Sequence, residues 1–265
     1  HYKSARFSDG HYRLEAGRLL NISSSPNAGV SHHVSVINSF FTNSWRHALV
    51  AQGNDLTFDS NVFRDNLNYN FEHTRASWPF VVGNWWYYAE EGQPSQVNMR
   101  PVFINNQVYH NHGEGIHSVY SDGTVIRNNY VADNLFVNIA LNMTRNATVE
   151  DNLITTVDPL WTRFGNGTRA IRLWMEVTGD SPWVTIEKAV VRNNWIFNQE
   201  YDVEGQSRSA ISVGIQLAQQ ALTRSLNIPD HTFRDVAISR NQIFGEIPIP
   251  YEIQCVPSNG DVPSG

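Results

Sequence analysis

An asparagine recurs in this chain about once every two dozen residues, each time between short runs in which apolar and polar residues alternate. The recurring residues are Asn38, Asn61, Asn106, Asn129, Asn152, Asn194 and Asn241. Three of the gaps between them are 23 residues, and the other three, of 45, 42 and 47 residues, are close to two such periods. A fixed period of this size is typical of a solenoid, in which each repeat packs only on its neighbours.

The residues inside each period predict short β-strands. A helical repeat needs apolar residues at i, i+3, i+4 and i+7, whereas these units alternate with a period of two. The runs 124–131 (TVIRNNYV) and 190–197 (VVRNNWIF) are rich in β-branched and aromatic residues, which favour strands. At about 3.3 Å per residue, about 22 residues make one turn of a three-sided coil that pairs with the next coil at about 4.8 Å. The sequence therefore predicts an all-β solenoid with about 23 residues per coil.

The recurring asparagine is expected at a corner between two strands. Asparagine tolerates the left-handed backbone that a sharp corner requires. Amide side chains stacked on successive coils can also hydrogen-bond to one another. We therefore expect an asparagine ladder along one corner of the solenoid.

The chain is predicted to be a single domain over residues 1–265, because no linker or change of composition interrupts it. We expect irregular coils over 1–30, regular coils over 31–253 with an insertion at about 84–96, and a linker-like tail over 254–265. Apolar residues at helical spacing predict a short helix over 218–226.

Charge and hydropathy exclude several classes of partner. The net charge is −6 at pH 7, so no basic surface is expected that could neutralise nucleic-acid phosphates or anionic lipids. The sequence contains no apolar stretch of about 18 residues and no apolar core of a signal peptide near its start. We therefore expect no nucleic-acid partner and no insertion into a membrane.

Four Asn-x-Ser/Thr sequons make the chain a candidate glycoprotein. About this number is expected by chance from the composition, so the count itself is uninformative. Asn21 and Asn166 lie in turn-like sequence and are the better acceptors. The four candidates are Asn21, Asn142, Asn146 and Asn166.

Three segments in consecutive coils carry a family resemblance. They are HNHGEGI at 110–116, VNIAL at 137–141 and AIRLWME at 170–176. They resemble the N-x-G-E-G-I, V-N-I-x-x and G-I-x-L-x-x-E segments of secreted proteins in the pectate-lyase-like superfamily. The resemblance covers about 30–253 and implies a single-stranded right-handed parallel β-helix with loop insertions, located outside the cell.

The resemblance does not imply one activity, because the superfamily includes polysaccharide lyases, glycoside hydrolases, uronan epimerases, phage tailspikes and non-catalytic modules. The Asp-Pro-His-Asp motif of the alginate epimerases is missing, since Asp158-Pro159 is followed by Leu160-Trp161. The Arg-x-Pro-x-x-Arg pattern of many pectate lyases is missing too. Neither of those two activities is implied.

Superposing the coils at the asparagine corner predicts which side chains leave the core. Ile116, Ile139, Ile171 and Ile211 are expected to form one inward column. The outward columns are predicted to be His117, Ala140, Arg172 and Ser212, and beside them Val119, Asn142, Trp174 and Gly214. Glu114 and Glu176 lie at the ends of the same strands.

These outward residues suit an acidic sugar. Glu114, His117, Arg172 and Glu176 are the candidate catalytic residues, with carboxylates as general acid and base and Arg172 to pair with a uronate. Trp174 and Asn142 are candidate substrate-binding residues. Each group also has a structural alternative: a carboxylate between two glycines can cap a turn, and residues four apart on a strand can form a surface ion pair of little energetic value.

The most unusual cluster in the chain is a run of four aromatic residues followed by two glutamates at Glu90 and Glu91. It suits a sugar-stacking wall, an interface with another subunit, or the lid of an insertion, and the sequence does not decide between them. The run is Trp85, Trp86, Tyr87 and Tyr88.

No metal site is predicted, because His112 and His117 lack a third ligand nearby in sequence. We expect no cofactor, and the sequence does not support bound calcium. Two functions remain open. The first is an extracellular carbohydrate-binding or carbohydrate-processing β-helix acting on an acidic polysaccharide, a lyase or hydrolase if it is an enzyme. The alternative is a non-catalytic structural module of an extracellular filament, surface layer or adhesin, with self-association.

Overall fold

A computed structural model describes residues 4–6, 12–14, 19–22, 30–67, 80–84, 97–157, 169–177, 183, 185–198, 213–221, 233–245 and 249–255. Every regular element within these ranges is a β-strand. The predicted insertion at 84–96, apart from Asn84, and most of the predicted tail lie outside the described residues.

The strands are short, and most contain two to six residues. The first nine are β1 (Ser4–Arg6), β2 (Tyr12–Leu14), β3 (Leu20–Ile22), β4 (Ser35–Ile37), β5 (Phe40–Thr42), β6 (Leu49–Ala51), β7 (Thr57–Asp59), β8 (Val62–Arg64) and β9 (Phe80–Asn84). The next ten are β10 (Asn98–Met99), β11 (Val102–Ile104), β12 (Gln107–Tyr109), β13 (Glu114–Val119), β14 (Ser121–Asp122), β15 (Val125–Arg127), β16 (Tyr130–Ala132), β17 (Val137–Asn142), β18 (Thr148–Glu150) and β19 (Leu153–Thr156). The last nine are β20 (Arg169–Val177), β21 (Ile186–Glu187), β22 (Val190–Arg192), β23 (Trp195–Asn198), β24 (Val213–Ala221), β25 (Phe233–Arg234), β26 (Ala237–Ser239), β27 (Gln242–Phe244) and β28 (Ile249–Cys255).

Three parallel sheets form the faces of a coil. The first sheet contains β4, β7, β11, β15, β18, β22 and β26, and the second contains β5, β8, β12, β16, β19, β23 and β27. The long-strand sheet contains β3, β6, β9, β13, β17, β20, β24 and β28. Each coil passes through the first, second and long-strand sheets in that order. The all-β parallel β-helix expected from the sequence is confirmed.

The strands of successive coils pair in register, which accounts for the sequence period. Val125 of β15 pairs with Val102 and with Thr148, each 23 residues away. Inward side chains stack along the axis in the same register. Phe58 and Phe103, for example, pack with ring centroids 4.8 Å apart. The alternation seen in the sequence therefore fills a continuous apolar core.

A ladder of buried asparagines runs along the corner between the first and second sheets. Nδ2 of Asn129 donates to Oδ1 of Asn152 at 3.0 Å and to the carbonyl of Phe103 at 2.9 Å. Its Oδ1 accepts from Nδ2 and the backbone N–H of Asn106 at 3.0 and 2.9 Å. The same side-chain bonds join Asn61, Asn106, Asn129, Asn152, Asn194 and Asn241.

Two adjacent residues form each corner, one with the left-handed backbone and one with the stacked amide, whereas the sequence analysis assigned both roles to one asparagine. The left-handed backbone belongs to the residue before the ladder asparagine, as at Asn128, where φ is 56°. Asn38 is such a residue, with φ 50°, and its neighbour Ser39 occupies the ladder position, donating its N–H to Oδ1 of Asn61 at 3.0 Å. The expectation that Asn38 belongs to the ladder was wrong by one residue. The left-handed residue turns the chain, and the next side chain then points inward.

A second asparagine ladder, which the sequence analysis missed, lies between the second and long-strand sheets. Nδ2 of Asn66 donates to Asn111, Asn111 to Asn134, and Asn134 to Asn138, at 3.0, 2.9 and 2.9 Å. Its members follow the first ladder by five residues in three coils, as in Asn129 and Asn134. That spacing was a signal in the sequence for the second ladder.

The predicted helix at 218–226 is wrong where the structure describes it. Ala218 and the three residues after it belong to β24. Ala218 pairs with Trp174 on one side and Gln254 on the other. Pairing along both edges satisfies the backbone of this segment, and it outweighs the helical spacing of its apolar residues.

We predict that Asn129→Ala lowers the free energy of unfolding by about 3 kcal/mol, because it leaves buried donors of Asn106 and the carbonyl of Phe103 without partners. Guanidinium unfolding measures the change. Asn128→Gly is the matched control, since Asn128 is exposed and glycine accepts its positive φ. Equal losses in the two variants would contradict the role given to the ladder.

Candidate functional site

The long-strand sheet carries most of the predicted site residues that the structure describes. Ile116, Ile139 and Ile171 pair in register and belong to the core, so the residue after each lies on the opposite, outward surface. His117, Ala140 and Arg172 therefore form one outward column, as predicted from the sequence. Asn142 and Trp174 pair in the neighbouring column.

The next coil enters this sheet four residues later than predicted. Ile215 pairs with Ile171, and Gln216 with Arg172, whereas residues 211 and 212 lie outside the described part of the chain. The prediction for Ile211, Ser212 and Gly214 was wrong, because counting from the asparagine ignores the length of the connection before β24. The triplet I-x-L, shared by Ile139, Ile171 and Ile215, would have given the correct register.

Glu114 and His117 meet on the outward surface although they are three residues apart. Nδ1 of His117 lies 2.6 Å from Oε2 of Glu114. A Cβ at Gly115 would point inward and would lie 2.4 Å from the carbonyl oxygen of Asn138 and 3.1 Å from a methyl of Val131. Two successive inward residues, Gly115 and Ile116, thus separate two outward ones. Glycine is required because the neighbouring coil passes so close.

The Glu114 carboxylate is buried together with the His117 ring. Glu114 is 0% exposed and His117 is 4% exposed. Their contact is short enough for an ion pair when His117 is protonated, although it lacks the angles of a hydrogen bond. Oε1 of Glu114 has no hydrogen-bond partner within the described residues. A buried carboxylate with an unused oxygen costs stability, so it is a candidate for a functional role.

Arg172 and Trp174, which both lie on β20, form a cation–π pair. The guanidinium carbon of Arg172 lies 3.7 Å from the ring centroid of Trp174 and 5.8 Å from that of Phe136. Arg172 is 7% exposed and Trp174 is 9% exposed. Nε1 of Trp174 has no hydrogen-bond partner among the residues described. The pair places a planar cation and an indole N–H donor on the sheet. It lies two coils, about 10 Å, from His117 along the outward column.

Two further polar residues, missed in the sequence, extend this surface. Nε of Arg169 donates to Oε1 of Gln216 at 3.0 Å, and its guanidinium lies 5.3 Å from the Phe136 ring. Gln216 is buried. Arg169 could have been suspected from its position two residues before the I-x-L triplet at Ile171. Gln216 was missed because the sequence placed the entry of β24 into the sheet four residues too early.

The outward surface of the sheet is buried, although the sequence predicts that its side chains leave the core. All six residues of β13 and all six of β17 are buried, on both surfaces. Asn142 is only 3% exposed, so the folded chain has no room for a glycan there. Alternation along a strand tells which surface a side chain takes, but not what lies over that surface.

Comparison with known proteins assigns the family. Residues 27–227, which are 201 of the 265 in the chain, match the family described as right handed beta helix region. The chain belongs to this family. The right-handed β-helix expected from the sequence is thereby confirmed, and the family assignment rests on this match.

The β-helix is also similar to two solved structures of mutants of the periplasmic alginate epimerase AlgG. For the single mutant the identity is 14%, the TM-score is 0.36, and the match covers 79% of this chain and 50% of that chain. For the double mutant the values are 14%, 0.39, 86% and 55%. This chain thus spans about half the length of the epimerase structures. None of the curated proteins matches it.

The structure describes the side chains of only some of the remaining predicted residues. Glu176 pairs with Gln220 through the backbone of β20, and its side chain lies outside the described part. Asn21 and Asn146 are exposed, which keeps both as candidate glycosylation sites, and Asn166 is not described. The aromatic run Trp85, Trp86, Tyr87 and Tyr88 also lies outside the described residues.

Other charged groups belong to the corners of the β-helix. Arg100 donates from Nε and Nη2 to the two carboxylate oxygens of Asp55 at 2.7 and 2.9 Å. This hydrogen bonding, together with the attraction between the two opposite charges, lowers the pKa of Asp55 and raises that of Arg100. Within the described ranges no three His, Cys, Asp or Glu side chains are placed to hold a metal ion. No helix among these residues is long and apolar enough to span a membrane.

We predict that Gly115→Ala destabilises the β-helix by about 2 kcal/mol, because the added methyl meets the Asn138 carbonyl, which is backbone and cannot rotate away. Chemical denaturation measures the loss. Gly123→Asn is the comparison: asparagine tolerates a left-handed φ such as the 80° at this position better than most residues, and the nearest atom is a side-chain carbon, Cγ of Arg100 at 3.2 Å, so we expect a smaller loss than at Gly115. A fully stable Gly115→Ala variant would show that the close approach does not fix the Glu114–His117 geometry.

Proposed function

We propose that this β-helix binds and processes an acidic polysaccharide outside the cell, along the outward surface of the long-strand sheet. The observation that carries the proposal is the buried Glu114–His117 pair, with a carboxylate oxygen that has no partner among the described residues. The extracellular location is supported by the resemblance of 110–116 and its companion segments to secreted proteins. The reaction class is proton transfer at a uronate ring.

The Glu114–His117 pair is suited to hold and move one proton. At 2.6 Å, the Glu114 carboxylate can stabilise the imidazolium that forms when His117 takes up a proton. In an elimination, the pair would remove the proton next to the uronate carboxyl group. The glycosidic C–O bond then breaks, a carbon–carbon double bond forms, and the leaving oxygen takes up a proton. Burial excludes water and strengthens the electrostatic interactions of the pair.

Arg172 and Trp174 are suited to recognise the sugar. A guanidinium can pair with a uronate carboxylate through two hydrogen bonds, and the indole N–H can donate to a sugar hydroxyl. These two residues are more exposed than Glu114 and His117, at 7% and 9% against 0% and 4%. The recognition pair therefore keeps slightly more contact with solvent than the proton-transfer pair.

The same burial favours a second candidate function, a non-catalytic structural module of an extracellular filament, surface layer or adhesin. In that case the two pairs fix the packing of the long-strand sheet, and no substrate reaches them. A buried polar pair then specifies one packing arrangement without itself adding much stability. Substitutions in these pairs should lower turnover if the protein is an enzyme, and should lower only its stability if it is a structural module.

We predict that Glu114→Gln and His117→Gln each reduce turnover of a polyuronate by about a hundredfold or more while both variants stay folded. The assay follows absorbance of the unsaturated uronate and release of reducing ends across a panel of acidic polysaccharides. Glu150→Gln is the matched control, because Glu150 pairs with Arg192 on the first sheet at 2.7 Å. No turnover by the native protein, combined with destabilised Glu114 and His117 variants, would favour the structural module.

We predict that Arg172→Gln weakens binding of an acidic polysaccharide about tenfold or more, because the uronate loses its charged partner. Isothermal titration calorimetry with the acidic polymer and with its carboxyl-reduced form measures the effect. The carboxyl-reduced polymer should bind the native protein and the Arg172→Gln variant equally weakly. Unchanged affinity for the acidic polymer would remove Arg172 from recognition.

A further inference from the structure

The outward surface of the second sheet carries a group of exposed apolar residues, which we call the aromatic strip. Their exposed fractions are 37%, 44%, 51%, 46% and 37%. In the same order, the residues are Tyr130, Leu153, Trp195, Phe197 and Phe244. Large side chains seldom gather in this way on a surface that faces only water, so the strip is a candidate docking surface.

Strand pairing makes the aromatic strip continuous. Tyr130, Leu153 and Trp195 follow one another in one column of β16, β19 and β23. Phe197 and Phe244 follow one another in the adjacent column of β23 and β27. The strip therefore crosses four rungs, about 14 Å along the axis.

The aromatic strip contains no charge, although the chain has a net charge of −6. The other outward positions on β16, β19 and β27 are Ala132, Thr155 and Gln242. The first sheet differs, because Arg127, Glu150 and Arg192 form a charged column on its outward surface. A second copy of the chain could approach the strip without the repulsion that its net charge causes elsewhere.

Ring orientation argues against a sugar as the occupant. The rings of Phe197 and Phe244 stack with centroids 5.4 Å apart and planes 25° apart, and Trp195 lies at 5.7 Å and 34° from Phe244. Rings stacked between rungs turn their faces along the axis and their edges outward. A sugar stacks on the face of a ring, whereas ring edges suit close packing against other apolar side chains.

The charged rim of the aromatic strip matches its own copy. Asp151 and Arg240 are exposed, and they are the left-handed corner residues before β19 and β27, one rung on either side of β23. Consider a two-fold axis in the interface, parallel to the strands and centred on β23. With this axis, β19 of one copy faces β27 of the other. Asp151 of each copy then lies opposite Arg240 of the other copy.

We propose that the aromatic strip is a dimer interface, in which two copies pack their second sheets face to face about this two-fold axis. Trp195 lies at the centre and meets Trp195 of the second copy. The sheets would be about 10 Å apart, as in other packed sheets. The contact is isologous, so it closes after two copies and leaves the long-strand sheet of each copy outside the interface.

Sedimentation equilibrium over a range of concentrations tests the dimer. We expect the native 30.1-kDa chain to associate into dimers and Trp195→Glu to weaken association by about a hundredfold, because two carboxylates would meet at the centre. The matched control is Ile37→Glu on the first sheet, where Ile37 is 50% exposed, and it should associate as the native protein does. Circular dichroism checks that both variants are folded.

Charge exchange tests the two-fold axis itself. Asp151→Arg and Arg240→Asp should each weaken the dimer about tenfold, and the double variant should recover most of the native affinity. A native protein that stays monomeric at every concentration would overturn the proposal. So would a folded Trp195→Glu variant that dimerises normally, or a double variant that is no better than the single ones. Binding of a neutral polysaccharide that Trp195→Glu abolishes, with no dimer, would assign the aromatic strip to a glycan.

Discussion

The structure depends on hydrogen bonding between identical side chains stacked at its corners. Each ladder amide accepts from the coil before it and donates to the coil after it, so no member can be satisfied alone. Asn129 makes these bonds with Asn106 and Asn152 while being only 2% exposed. Buried amides without partners are costly, and this cost holds successive strands in register. The core and the three sheets follow from that register.

The sequence predicts the repeating parts of the β-helix well because they obey a local rule. Alternation, the ladder asparagine and the outward positions of His117, Arg172 and Trp174 all follow from the same period. The shift at Asn38 and the second ladder at Asn66 were missed because two kinds of corner residue lie next to each other in sequence. The entry of β24 was misplaced because connection length breaks the count, although the triplet beginning at Ile215 marks it.

The candidate site was predicted only in part, for a different physical reason. The contact between Glu114 and His117 depends on a backbone detour at Gly115, which periodic spacing cannot reveal. The burial of the outward surface cannot be read from alternation either, because alternation decides only which surface a side chain takes. Arg172 and Trp174 are predicted as neighbours by strand alternation alone, yet the stacking of one on the other is a matter of side-chain packing.

The connection between the first and second sheets has a fixed length, whereas the other connections do not. In all seven coils of the described part of the chain, two residues separate these strands: 38–39, 60–61, 105–106, 128–129, 151–152, 193–194 and 240–241. One extra residue there would move the ladder asparagine out of the corner and exchange the inward and outward side chains of the strand that follows. Additional chain elsewhere leaves the rungs in place. The β-helix can therefore acquire new loops beside the long-strand sheet while its frame stays the same, which allows new surface chemistry to evolve without a new fold.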